Sequence, residues 1–136
     1  MDKTLLVDKD IEDGKRLVEA LDISGFPVTS ALWFYLTDSD EWRLLLASPW
    51  MVEKGPKKTY ALIQSVMAES EPPLSILLKR ISVMNPENKL IQLLRMAITT
   101  ERELSEIRFT RNTINNIFIE DALIYRLTPQ HQPSKR

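Results

Sequence analysis

The twenty residues from Ala31 to Trp50 most constrain what this chain can fold into, and they read ALWFYLTDSDEWRLLLASPW. Two apolar runs flank a short polar segment within this stretch. Asp and Ser are common turn residues because their side chains bond nearby backbone amides. The stretch therefore predicts an antiparallel hairpin that turns at Ser39 and Asp40.

The pairing that such a turn implies can be written residue by residue. The predicted pairs are Thr37 with Trp42, Tyr35 with Leu44, Trp33 with Leu46, Leu36 with Arg43 and Phe34 with Leu45. Both faces of this hairpin are largely apolar, whereas a strand with one wet face alternates between apolar and polar residues. We therefore expect the hairpin to lie inside a sheet that is covered on at least part of each face.

The segment before the hairpin has the spacing of an amphipathic helix. Its apolar face comprises Ile11, Leu17, Val18 and Leu21. Asp8 or Asp10 can cap the free amides at its start. Gly25 can take the left-handed conformation after the last turn, and Pro27 prevents continuation. These signals predict a first helix over residues 9–23.

Two more helices and a short strand are predicted after the hairpin. Residues 48–55 should form a loop, after which Pro56 suits the first position of the second helix. Residues 78–84 precede Asn85 and Pro86, and this order favours a strand that leads into a third helix opened by those two residues. The apolar faces comprise Tyr60, Ile63, Val66 and Met67 in the second helix, and Leu90, Ile91, Leu94, Ala97 and Ile98 in the third.

A second hairpin is predicted near the C-terminus, with its turn at Asn115 and Asn116. Asn tolerates the positive backbone angles of a two-residue hairpin turn. The predicted pairs are Ile114 with Ile117, Phe109 with Ala122, Ile107 with Ile124, and Arg111 with Glu120 as a cross-strand ion pair. Residues 128–136 are polar and have nothing to bury, so we expect a disordered tail.

The order of the predicted elements is α, β, β, α, β, α, β, β. It predicts a single α+β domain over residues 1–127, with a mainly antiparallel sheet of about five strands, two hairpins plus one strand, packed with three helices. The 136 residues, 43% of them hydrophobic, are enough for one domain with a buried core.

Composition and charge narrow the classes of function. The chain has no cysteine, which excludes disulfides and cysteine nucleophiles and favours a reducing cytoplasm. The formal charge of -1 provides no global attraction to nucleic acid or to an anionic membrane. The N-terminal residues MDKTLLVDKD are neither a signal peptide nor a spanning segment. We expect a soluble cytoplasmic protein without a membrane or nucleic-acid partner.

The scarcity of histidine and glycine excludes several kinds of catalytic or cofactor site. His131 is the single histidine and lies in the predicted tail, which argues against a Ser-His-Asp triad and a histidine metal site. Gly14, Gly25 and Gly55 are the only glycines, and their spacing fits neither a dinucleotide motif nor a phosphate-binding P-loop. No cofactor and no catalytic residue is predicted.

Lys54, Lys57 and Lys58 surround the predicted start of the second helix. Cations at this end face the positive end of the helix dipole, which is locally unfavourable. One interpretation is an anion or phosphate held by the free amides and the three lysines. The simpler interpretation is that the lysines project into screened solvent.

Asp38, Asp40 and Glu41 form the acidic turn of the first hairpin. Carboxylate oxygens are the ligands that magnesium and calcium prefer, so a metal site for phosphodiester chemistry is one interpretation. A nuclease of the PD-(D/E)xK type would need Glu-x-Lys, whereas residues 41–43 read Glu-Trp-Arg. A solvated turn without metal explains the same residues and is the preferred interpretation.

Trp50 and Met51 follow the first hairpin in the predicted loop. Large apolar side chains on a loop often contribute to a protein interface. The alternative is that they close the end of the core.

Four segments, GFPVTSALWFYL, EWRLLLASPW, KGPKKTYALIQ and FIEDALIYRL, together resemble conserved small bacterial proteins of unknown function. The resemblance implies a compact single-domain protein and brings no activity, ligand or catalytic residue.

Two hypotheses of function follow from these features. The first is a non-enzymatic domain that acts through protein contacts, as a homo-oligomer or accessory subunit, with Trp50 and Met51 in the contact surface. The alternative is a protein that binds a phosphate ligand or nucleic acid, or a metal-dependent phosphodiesterase, using the lysines and acids described above.

Overall fold

The computed structural model describes residues 2–129 and shows one α+β domain built on a five-stranded sheet. The strands are β1 Ser30–Leu36, β2 Glu41–Ala47, β3 Ile81–Met84, β4 Ile107–Ile114 and β5 Ile117–Leu127. The helices are α1 Asp8–Ile23, α2 Trp50–Glu53, α3 Pro56–Glu69 and α4 Lys89–Ala97. The strand order is β3-β2-β1-β5-β4, and β2 with β3 is the parallel pair. The predicted fold class is confirmed, with a sheet that is mixed rather than purely antiparallel.

Both faces of the first hairpin are buried, as its sequence predicts. On one face the core includes Leu17 and Leu21 of α1, Ile63 of α3, and Trp33 and Leu44 of the hairpin. On the other face a smaller core joins α4 to the sheet, and it includes Leu32, Leu45, Ile91, Leu94 and Ile124. The apolar runs therefore form the centre of a three-layer arrangement.

The predicted register of this hairpin is wrong by two residues. Tyr35 pairs with Trp42 and Leu36 pairs with Glu41, so the loop contains four residues, 37–40, rather than two. Asp40 has a positive φ of 50° at the end of this loop. Because side chains alternate with a period of two, the shift leaves every side chain on its predicted face.

Helix α1 begins at Asp8, one residue earlier than predicted, and ends at Ile23 as expected. The N-cap is Val7, and no side chain caps the first turn, so the predicted capping by an aspartate is wrong. Asp8 and Asp10 lie inside the first turn, where a negative charge interacts favourably with the positive end of the helix dipole. Gly25 adopts the predicted left-handed conformation, with φ of 84°.

Residues 48–55 contain a one-turn helix, α2, where the sequence predicts a loop, so the domain has four α-helices rather than three. Bonds from the amides of Glu53 and Lys54 to the carbonyls of Pro49 and Trp50 close this turn. Helix α3 begins at Pro56, as predicted.

Two boundaries near β3 differ from the prediction. Residues 78–80 form a 3₁₀ turn, so the strand begins at Ile81. Helix α4 begins at Lys89 because the Asn88 side chain, and not Asn85, caps it. The Asn85 side chain accepts a bond from the amide of Glu87 and closes a local turn instead.

The predicted register of the second hairpin is confirmed. Its pairs include Ile107 with Ile124, Phe109 with Ala122 and Ile114 with Ile117. Asn115 and Asn116 have positive φ values of 49° and 68°. Arg111 lies 3.6 Å from Glu120 as predicted, but its own φ of 45° interrupts the alternation of faces. Phe109 and Ile114 consequently contact the same core although they are an odd number of positions, five, apart in the strand.

The end of the described chain remains bonded to the sheet at Thr128, whose amide and hydroxyl both donate to the carbonyl of Thr29. Residues 130–136 of the predicted tail, with His131, lie outside the described residues. Within residues 2–129, no helix combines the length and apolar character needed to cross a bilayer.

Candidate functional site

The acids of the first hairpin turn lie at one end of the sheet, where Asp40 holds the N-terminal segment. Its carboxylate accepts bonds from the Thr4 amide at 2.9 Å, the Thr4 hydroxyl at 2.8 Å and the Tyr35 hydroxyl at 2.5 Å. These bonds, that of Tyr35 first, lower the pKa of Asp40, and the same bond raises the pKa of Tyr35 to about 12. Asp40 therefore has a structural partner at each carboxylate oxygen.

Asp38 and Glu41 do not complete a metal site with Asp40. Glu41 accepts a bond of 3.0 Å from the hydroxyl of Ser39. Across the part of the chain that the structure describes, no three His, Cys, Asp or Glu side chains are grouped to hold a metal ion. The geometry of the turn therefore gives the metal interpretation no support.

Asp121 forms a second carboxylate network at this end of the sheet. It accepts two bonds from Arg108, at 2.7 and 2.9 Å, and one from Lys3 at 2.8 Å. Burial by itself would raise the pKa of Asp121, but the bonds from Arg108 and Lys3 outweigh burial and lower it to about 2. Sequence reasoning missed this network, although Arg108 and Asp121 are diagonal neighbours in the confirmed register.

Arg126, an arginine of the second hairpin, is buried against the core. Its side chain is 2% exposed and donates to both carboxylate oxygens of Asp22, at 3.1 and 2.8 Å, and to the carbonyl of Val28. A one-residue register shift between Ala31 and Leu32 in the β1–β5 pairing lies beside it. A guanidinium held in this way is not available to nucleic acid.

A surface groove lies between the C-terminal end of α1, α2 and α3. We call it the lysine groove; its lining includes Phe26, Trp50, Lys54, Lys58, Leu62, Ser65 and Glu69. Two adjoining hollows of about 370 and 300 Å³ form it and share Lys54, Leu62 and Ser65. Lys57, the third predicted anion ligand, lines neither hollow.

Trp50 forms part of the wall of the lysine groove and also packs on the core. Its ring meets Phe26 edge to face with centroids 5.0 Å apart, and the Lys54 ammonium lies 4.5 Å from its centroid. Met51 packs against the same core but does not line the groove. The structure thus places both residues at the end of the core and exposes only Trp50 to the groove.

A separate cleft of about 630 Å³ lies where β2 and β3 end. Its lining includes Thr29, Val52, Glu53, Asn85, Glu87 and Arg95. Arg95 donates to the carbonyls of Thr128 at 2.9 Å and Pro86 at 3.0 Å and to the Ser30 hydroxyl at 3.4 Å. Burial lowers the pKa of this guanidinium from its usual value.

Sequence reasoning did not identify Arg95. The available signal is its spacing: it follows the buried Ile91 by four residues and therefore lies on the same side of α4 as the core. A charged residue at that spacing lies next to the sheet, where its partly buried side chain requires polar partners.

The chain matches no protein-family model, no curated protein and no solved structure. Its function is therefore argued from the geometry of its own residues.

Proposed function

We propose that the protein binds an acidic, partly apolar segment of a partner protein in the lysine groove. One observation carries this proposal: Lys54 and Lys58 border an exposed apolar surface and form no ion pair within residues 2–129. Among the described residues that line the groove, Glu69 is the only acid and forms no ion pair with either lysine, so an acidic segment would supply the carboxylate partners.

The apolar surface between the lysines supports contact with protein. Leu62 is 39% exposed and lies four residues after Lys58, so the two side chains share a face of α3. The half-buried ring of Trp50 adjoins them. Aromatic and large aliphatic groups at the centre, with charges at the rim, are the usual composition of a protein-binding surface.

The charge of the lysine groove favours an acidic partner over a basic one. The charged residues that line the groove are Lys54, Lys58 and Glu69, so two cations against one anion leave the groove locally positive. Rim lysines contribute little to affinity in water, but they steer a negatively charged partner and disfavour a positively charged one. A cytoplasmic location, which the absence of cysteine favours, belongs to this proposal.

Tryptophan fluorescence can test the proposal, because Trp33 and Trp42 are 0% and 2% exposed and only Trp50 is partly accessible. A peptide containing glutamates and one leucine is titrated into the full chain. The same peptide with glutamines in place of glutamates serves as the ligand control. We expect the emission of Trp50 to change with the acidic peptide and to change much less with the neutral one.

A matched set of charge reversals locates the site. Lys58→Glu should weaken the response strongly, and Lys54→Glu with Lys58→Glu should abolish it. Lys57→Glu changes the charge of α3 by the same amount as Lys58→Glu but outside the groove, and it should leave affinity within about threefold of that of the unchanged chain. Equal loss in Lys57→Glu and Lys58→Glu would show that general charge, and not the groove, carries binding.

Light scattering separates this proposal from self-association. We expect a monomer at concentrations at which the acidic peptide binds, both in the unchanged chain and in a Trp50→Ala, Met51→Ala variant. A dimer that Lys54→Glu with Lys58→Glu dissociates would replace the partner segment with a second copy of this chain.

A further inference from the structure

The cleft that contains Arg95 is independent of the lysine groove, and its position is typical of a binding site. Strands β2 and β3 run parallel and end together at Ala47 and Met84. The segments that follow them diverge, one into α2 and the other into the turn at residues 85–88, and the cleft lies between. In open sheets with parallel strands, ligands bind in crevices at the carboxyl ends of those strands.

The volume and walls of the cleft suit a small molecule. Its volume of about 630 Å³ falls within the range of ligand-binding pockets. Pro49, Val52 and Pro86 give it apolar walls, while Thr29 and Asn85 add polar groups. A ligand in this space would contact both segments that leave the parallel strands.

Arg95 provides a fixed cation without a counter-ion. Within residues 2–129, six arginines lie in ion pairs with Asp or Glu, and only Arg95 and Arg43 do not. Arg43 lies outside the cleft and donates to the hydroxyl of Ser82. Three bonds to neutral oxygens fix the guanidinium of Arg95, and its remaining N–H groups are free of described partners.

The other charges of the cleft decide which anion fits. Glu53 lines it from α2 and Glu87 from the turn after β3, and neither forms an ion pair among the described residues. Two carboxylates beside one guanidinium repel a polyanion such as phosphate. They favour a ligand that brings one carboxylate and one ammonium group.

We propose that the cleft binds a small zwitterion of the amino-acid or dipeptide class. The ligand carboxylate accepts charge-assisted bonds from Arg95, whose planar donors match a carboxylate. The ligand ammonium faces Glu53 and Glu87, and its side chain lies against Val52 and the proline walls. Its recognition is thus electrostatic at two points and apolar between them.

Calorimetric titration of the full chain tests this proposal with defined probes. The probes are free amino acids and dipeptides, the deaminated acids with the same side chains, the corresponding amines, and inorganic phosphate. We expect the zwitterions to bind more tightly than either the acids or the amines, and phosphate to bind least. Tighter binding of phosphate, or no heat from any zwitterion at millimolar concentration, would overturn the proposal.

Variants then assign the two charged contacts. Arg95→Gln should weaken zwitterion and deaminated acid alike by about tenfold or more, as the loss of a charged hydrogen bond predicts. Arg43→Gln is the matched control. It removes the other arginine without an ion pair, which lies outside the cleft, and it should leave affinity unchanged. Equal weakening in both variants would contradict the assignment.

The glutamates supply a test that does not depend on the folding of the arginine variant. Glu53 and Glu87 are exposed, so Glu53→Gln with Glu87→Gln should fold normally. This variant should lose the preference for zwitterion over deaminated acid while it still binds the acid. A preference that persists unchanged would overturn the zwitterion proposal.

Discussion

The charged residues at the two ends of the sheet differ in whether they have ion-pair and hydrogen-bond partners. At the turn end, which we define by the β1–β2 loop and the N-terminal segment that it binds, Asp40 and Asp121 accept bonds from several partners. At the cleft end, where β2 and β3 terminate, Glu53, Glu87 and Arg95 form no ion pair among residues 2–129. Asp40 and Asp121 therefore have structural roles, whereas the charges that line the cleft have no ion-pair partner among the described residues.

This difference has an energetic meaning. A buried carboxylate with several donors contributes to the stability of the fold, and removing it leaves the donors unpaired. An exposed charge without a partner contributes little to stability and is free to meet a ligand. Substitution of Asp40 or Asp121 should therefore change stability, while substitution of Glu53 or Glu87 should change binding.

The largest expected effect is that of Asp121→Ala. Asp121 is 3% exposed, and its loss leaves Arg108 without its carboxylate and Lys3 with only the longer contact of 3.3 Å to Glu120. We expect the free energy of unfolding to fall by about 3 kcal/mol, somewhat less than for a fully buried pair because both cations reach solvent. Urea unfolding followed by circular dichroism measures this.

The matched control for that variant is Asp38→Ala, which changes an exposed aspartate at the same end of the sheet. It should alter the unfolding free energy by less than about 0.5 kcal/mol. Equal losses of unfolding free energy in the two variants would show that Asp121 has no special role in stability.

Lowering the pH should reproduce part of the loss of stability that Asp121→Ala causes. The pKa of Asp121 is lowered from 3.8 to about 2 in the folded protein, so its contribution is fully present above pH 3.8 and is lost as pH falls towards 2. Linkage gives about 2 kcal/mol for this loss. Unfolding measured at several pH values should show the difference between the unchanged chain and Asp121→Asn shrinking over that interval. A difference that stays constant below pH 3.8 would contradict the assignment.

A larger residue in place of Gly14 should destabilise the packing of α1 against the sheet. A Cβ at Gly14 would lie 2.5 Å from the Tyr125 hydroxyl and 2.7 Å from Trp33 Nε1. Tyr125 cannot move freely, since its hydroxyl accepts a bond from Trp33 and donates to the carbonyl of Ile11. Gly14→Ala should therefore cost about 1.5 kcal/mol, after the gain in helix propensity is subtracted.

Thermal unfolding of Gly14→Ala can be compared with Glu12→Ala, an exposed change in the same helix. The second variant should leave the midpoint nearly unchanged. If Gly14→Ala is as stable as the unchanged chain, the helix is not pressed against the sheet as described.

Met51 offers a smaller test of the boundary between core and groove. It is half-buried and packs on the core without lining the lysine groove. Met51→Ala should cost about 1 kcal/mol of unfolding free energy and leave acidic-peptide binding unchanged. Loss of peptide binding with unchanged stability would instead place Met51 in the contact surface.

How much the sequence predicts depends on how local each feature is. The apolar faces of the first hairpin and the register of the second were predicted, because alternation and an Asn-Asn turn are local signals. The register of the first hairpin was missed. Its loop is held through Asp40 by Thr4, thirty-six residues away, and no local pattern encodes that contact.

The candidate sites were less predictable for the same reason. Lys54 and Lys58 were identified from their charge, but only the packing of α2 beside α3 brings them to one groove and leaves Lys57 outside. The cleft at Arg95 needs five chain segments to converge: Thr29 before β1, the α2 region, the turn after β3, α4 with Arg95 itself, and the residues that follow β5. Sequence spacing within any one segment does not contain that information.

The most direct test of the account is the unfolding free energy of a variant in which Lys54, Lys58, Glu53 and Glu87 are all replaced by Gln. If the charges at the cleft end and in the groove serve binding, this variant should match the unchanged chain within about 1 kcal/mol. A loss as large as that of Asp121→Ala would contradict the account, because these charges would then belong to the structure of the fold.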